Sequence, residues 1–109
     1  MIEPILGSKN AERVLLYILV REQGYTREIA RFWNADADSI HKQLVRLERG
    51  GVLFSTSLGR TIVYSFNPRY SFLKELKALL NKALSFYPKD EHDALLIVRR
   101  RPRRKGKPL

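Results

Sequence analysis

The chain contains no cysteine, which excludes disulfides and thiolate metal sites and leaves no sign of an oxidising compartment. Histidine is nearly as scarce: His41 and His92 stand far apart and lack carboxylates at familiar ligand spacing, so a structural metal site is not expected. No apolar run approaches the roughly 18 residues that span a bilayer. The opening "MIEPILGSKN" places an acid before any basic residue and lacks the apolar core of a secretory signal. These absences point to a cytoplasmic protein. There is no Gly-rich phosphate loop and no Ser-His-Asp or Cys-His set. Asp90, Glu91 and Asp93 with His92 read as a solvated cluster, so no enzyme and no cofactor is expected.

What is present fits one small domain. A chain of 109 residues with 44% hydrophobic content supports one modest core and is too short for two of ordinary size. The formal net charge of +10 is uneven. Arg99, Arg100, Arg101, Arg103, Arg104, Lys105 and Lys107 follow one another without an acid, and removing those seven leaves +3 for residues 1–98. The high pI therefore describes the tail more than the body, and the tail needs an acidic partner.

A first helix is expected from about Ser8 to Gln23, with Ser8 as cap and Gly24 as the left-handed terminator. Its "VLLYILV" is apolar around nearly the whole circumference and is expected to bury two faces, one on its own core and one on a second subunit. Thr26 is placed to cap a second helix, "REIARFWN", with Ile29, Ala30 and Phe32 or Trp33 inward. Asn34 and Ala35 turn the chain, and Asp36 caps a third helix in which Ile40, Leu44 and Leu47 repeat at core spacing before Gly50-Gly51. The period then switches to alternation. Val52 to Ser57 and Thr61 to Phe66 predict two strands joined at Leu58, Gly59 and Arg60, a wing stopped by Asn67-Pro68. A long helix from about Ser71 to Tyr87 carries a wide apolar face, and "DEHDALLIV" adds a short one. Leu16, Tyr17 and Val20 on the first helix, with Leu76, Leu80 and Leu84 on the long one, are the expected dimer contacts.

This order, in a mainly α chain with a small β-hairpin, resembles the winged helix-turn-helix domains of ArsR-like transcriptional regulators. More closely, "ILGSKNAERVLLYILV", "YTREIARFWN", "SIHKQLVRLERGGVL", "GRTIVYSFNP" and "FLKELKALL" are similar to the winged-helix segment found in front of small nucleotidyltransferase domains. The resemblance covers about residues 5–84; the nucleotidyltransferase domain is absent, and so is the cysteine-rich motif of the metal sensors, so metal sensing is not carried over. The corresponding division is 1–87 for the domain with its dimerisation helix, 88–98 for an extension and 99–109 for a disordered basic tail.

The resemblance implies a cytoplasmic, nucleoid-associated dimer, a repressor on an inverted repeat of double-stranded DNA. Its third helix would enter the major groove and its wing would touch backbone or minor groove. The groove-facing candidates are Asp38, Ser39, His41, Lys42, Gln43 and Arg46, with Arg60 on the wing. Gln43 suits adenine and Lys42 guanine, whereas Arg46 and Arg60 suit phosphate. Asp38 either accepts from a cytosine amino group or repels phosphate and so disfavours non-specific DNA. "KGKP" in the tail resembles the core of an AT-hook with lysine in place of arginine; the plainer role is a phosphate clamp. Seven neutralised phosphates would steepen the log-log salt slope by about 6 units per chain. The rival readings are an architectural or protein-binding module whose tail alone touches nucleic acid, and RNA binding through the tail.

Overall fold

A computed structural model describes residues 1–100, with side chains as far as Leu96. The remaining residues of the basic tail, 101–109, and the AT-hook-like segment within them lie outside the described residues.

A short helix α1 (Glu3–Leu6), started by Pro4 and ended by Gly7 at φ 105°, precedes the first predicted element. Helix α2 (Lys9–Arg21) is capped by Ser8, whose hydroxyl accepts from the Ala11 amide at 3.0 Å. The left-handed residue that terminates it is Glu22, at φ 74°, and not Gly24. Gly24 is glycine for want of space. A Cβ there would sit 2.8 Å from Tyr17 Cε1 and 3.1 Å from Ile29 Cδ1. Its N–H and C=O are both paired with Tyr64 of the hairpin.

Helix α3 (Thr26–Trp33) begins at its expected cap, one residue early: Tyr25 holds the N-cap position without a side-chain bond, and Thr26 is already helical. Asn34 at φ 54° reverses the chain, a conformation its short polar side chain tolerates. Asp36 then caps α4 (Ala37–Arg49), in which Ile40, Leu44 and Leu47 are buried. Gly51 at φ 81° releases the chain into strand β1 (Leu53–Leu58), one residue later than expected, antiparallel to β2 (Thr61–Phe66). The register runs from Leu53 opposite Phe66 to Leu58 opposite Thr61, so the loop is the two-residue Gly59-Arg60 turn, with Gly59 at φ 63°. Positive φ at the first position matches the twist of a tight hairpin.

Helix α5 (Leu73–Leu84) is shorter at both ends than the apolar pattern suggests. Helix α6 (Lys89–Arg100) is longer, and takes in the backbone of Arg99 and Arg100, counted with the tail above. Its Leu95 is buried against the core, a contribution of about 1.5–3 kcal/mol relative to exposure.

The all-round apolar character of α2 has an intramolecular cause. The helix lies at the centre of the domain and touches α1, α3, α4, α5, α6 and β2. Leu16, Tyr17, Val20, Leu80 and Leu84, expected at a dimer interface, are instead buried inside the single chain, and Leu76 is half-buried. The second face of α2 is covered by α5 and α6, so it needs no partner subunit to leave water. Between α2 and α3, Tyr17, Phe32 and Trp33 meet edge to face, and the Trp33 indole donates to the Arg13 carbonyl. The Arg21 guanidinium lies 4.3 Å from the Tyr17 ring centroid and donates through Nε to the Leu95 carbonyl, fastening α6 to α2.

Candidate nucleic-acid interface

Helices α3 and α4 with their tight turn lie beside the β1–β2 hairpin, whose Phe54, Leu58 and Ile62 are exposed apolar residues. The buried stripe of α4 fixes its orientation, so the residues between those positions must face outward. Asp38, His41, Lys42 and Arg46 are exposed; Ser39 and Gln43 are half-buried.

Several of these side chains already have partners. Asp36 Oδ2 accepts from both the Ser39 amide (2.9 Å) and the Ser39 hydroxyl (3.0 Å). Those bonds, with Lys42 nearby, hold the Asp36 carboxyl below its ordinary pKa. The Ser39 hydroxyl is therefore part of the cap. Arg46 donates through Nε to Gln43 Oε1 at 2.9 Å and through Nη2 to the Leu6 carbonyl at 2.9 Å. Gln43 and Arg46 thus form one network anchored on α1, and contact with a base or phosphate would exchange those bonds. Lys42 and His41 make no such tie to α1, though His41 Nδ1 lies 3.4 Å from the Thr26 hydroxyl.

The wing is held at both ends. Ser55 donates to Glu48 of α4 at 2.7 Å, and Asn67 donates through its amide to the Gly51 carbonyl at 2.9 Å. With the Gly24–Tyr64 bridge, these bonds set the hairpin against the helices, and Arg60 stands exposed at its tip.

Between the wing and the start of α3 lies a cleft of about 450 Å³ whose walls include Arg27, Arg31 and Arg60, with Thr26 and His41 also lining it. No acidic side chain lines it. Arg27 and Arg31 were not among the residues singled out from sequence. Their i, i+4 spacing was visible, but only the return of the hairpin against α3 brings Arg60 to the same cleft.

The architecture is a winged helix-turn-helix of the α+β class. A structure of ZitR from Lactococcus lactis, a double mutant in apo form, is similar with a TM-score of 0.55. The match has 16% identity and covers 83% of this chain and 76% of that one. At that identity the likeness concerns the fold. No family model and no curated protein matches the chain. Among the described residues, no helix is long and apolar enough to cross a membrane.

Proposed function

We propose that the protein is a double-stranded-DNA-binding transcriptional regulator, a repressor acting as a dimer on an inverted repeat. The observation that carries this reading is the single surface made by the outward face of α4, the cleft arginines and the wing tip. The winged helix-turn-helix supports it by presenting a helix with a polar face beside a hairpin, a geometry that suits a major groove and its flanking backbone. In this reading Lys42 and Gln43 read base edges, with Asp38, Ser39 and His41 beside them, while Arg46 and Arg60 hold phosphates. The tail from Arg99, through Arg100, Arg101, Arg103 and Arg104 to Lys105 and Lys107, raises affinity without adding sequence preference. The ArsR-like relationship belongs to the same proposal.

In this reading the second copy docks elsewhere than on the buried leucines. Phe72 and Phe86, at the two ends of α5, are each 64% exposed, and a dimer would cover them.

Selection of binding sites from a random duplex pool tests the proposal, run with the full chain and with a chain ending at Val98. A shared inverted-repeat motif from both is expected, lost on combining Lys42→Ala with Gln43→Ala. Absence of any enriched motif would refute sequence-specific regulation and favour the architectural alternative, in which only the tail binds nucleic acid.

A further inference from the structure

We infer that the cleft between α3 and the wing is a phosphate seat, taking a backbone phosphate of duplex DNA on Arg27, Arg31 and Arg60. The inference rests on the DNA-binding reading and adds to it a set of contacts outside the groove-facing helix.

Three observations carry it. First, the three guanidiniums come from two separate elements and line one cleft, with no acid among its walls. Arg27 and Arg31 are one helical turn apart, on the same face of α3, and Arg60 lies on the wing. Second, all three are exposed. They are thus available to a ligand and carry no burden in the core. The neighbouring acid of α3, Glu28, is directed elsewhere: it interacts with the buried Tyr17. Third, the cleft offers neutral donors beside the charges. Thr26 lines it together with His41, and α3 starts there without a side-chain cap, in contrast to α2 on Ser8 and α4 on Asp36.

Guanidinium matches phosphate because its planar fork donates two parallel hydrogen bonds and stays charged. An apolar ligand would leave three charges desolvated without compensation, and a carboxylate would use only part of the array. A phosphodiester running past the wing satisfies it. The cleft lies beside the outward face of α4, so a duplex seated on that helix would bring its backbone to the cleft mouth. Such contacts position the protein and carry no sequence information.

The test uses the full chain on a mixed-sequence duplex, comparing wild type with Arg27→Gln/Arg31→Gln. A control variant, Lys74→Gln/Lys89→Gln, removes the same charge at exposed residues outside the cleft. Loss of the one phosphate contact in the cleft reduces the log-log salt slope by about 0.9 per chain, or about 1.8 for a dimer on its site. Over a fourfold rise in salt, the affinity of the wild-type dimer then falls about 12-fold further than that of the cleft variant. The control should keep the wild-type slope, and thermal unfolding of the cleft variant should match wild type.

An unchanged slope in the cleft variant, or an equal fall in the control, would overturn the phosphate seat. Either result leaves the regulator reading standing if site selection still yields a motif. Wild type that binds no duplex overturns both. Titration with inorganic phosphate distinguishes the source: tight binding that needs Arg27 and Arg31, with an unchanged DNA slope, would make the cleft a site for a free anion and refute the DNA assignment. A lowered slope with the selected motif retained is the result expected.

Discussion

Replacing Gly24 with alanine should destabilise the protein, and the sign of the effect is diagnostic. The added methyl would meet Tyr17 at 2.8 and 3.0 Å and Ile29 at 3.1 Å, where carbon atoms prefer about 3.5–4.0 Å. Neither wall gives easily. Tyr17 and Ile29 are both fully buried, and the Tyr17 ring is flanked by Phe32 and Arg21, which also donates to its hydroxyl. Gly24 itself is pinned, since its N–H donates to Tyr64 at 3.0 Å and its carbonyl accepts from Tyr64 at 2.8 Å. Overpacking of this kind costs about 1–3 kcal/mol. A value near 2 kcal/mol lowers Tm by about 8 °C in a domain of this size. Thermal and urea unfolding followed by circular dichroism reads the change. At an unstrained, open site, Gly→Ala would stabilise by about 0.4–1 kcal/mol through the unfolded chain. A Tm that stays level or rises would therefore refute the argument from space. Ile29→Val removes the methyl at 3.1 Å and should cost less in the Gly24→Ala background than alone, as a double-mutant cycle would show.

Further tests probe the N-terminal anchor and the partner surface. The Tyr87 hydroxyl donates to the carboxylate of Glu12, which is 1% exposed and also accepts from the Ile2 amide at 2.8 Å. Tyr87→Phe should cost about 2 kcal/mol in urea unfolding, the scale of a hydrogen bond to a charged group; no change would show that the bond adds nothing. Burial, helped by Glu12 for Tyr87 and Glu28 for Tyr17, holds both phenols above their ordinary pKa of 10.0. The fold thus favours the neutral phenols, so this stability is complete below pH 10 and is lost as the pH climbs past it. A flat urea midpoint across that range would contradict the assignment, and Tyr87→Phe should shallow the decline. Phe72→Ser/Phe86→Ser should weaken self-association at least tenfold in sedimentation, given about 1.5–3 kcal/mol for each fully buried phenyl. An unchanged dimer constant would place the interface elsewhere.

Residue patterns alone determined most of the fold's order. Ser8, Asn34 and Asp36 act through backbone amides and dihedral angles within a few residues of themselves, and the buried stripe of α4 follows from a period of 3.6. The hairpin around Gly59 is equally local, but the alternation expected of its strands is not kept: Val63 and Tyr64, neighbours in β2, are both buried because Tyr64 turns in to pair with Gly24. Tertiary structure decided what depends on distant chain. Gly24 looked like a helix terminator until the hairpin and Tyr17 closed around it, leaving the left-handed turn to Glu22. The two apolar faces of α2 suggested a second subunit, because a helical pattern shows how much surface must be buried and not what covers it; α5 and α6 cover it within the chain. Likewise the exposed face of α4 was legible, but the Arg46–Gln43–Leu6 network was not. Nor was the meeting of Arg27 and Arg31 with Arg60, because hydrogen bonds and charge clusters between elements exist only once packing has set the elements side by side.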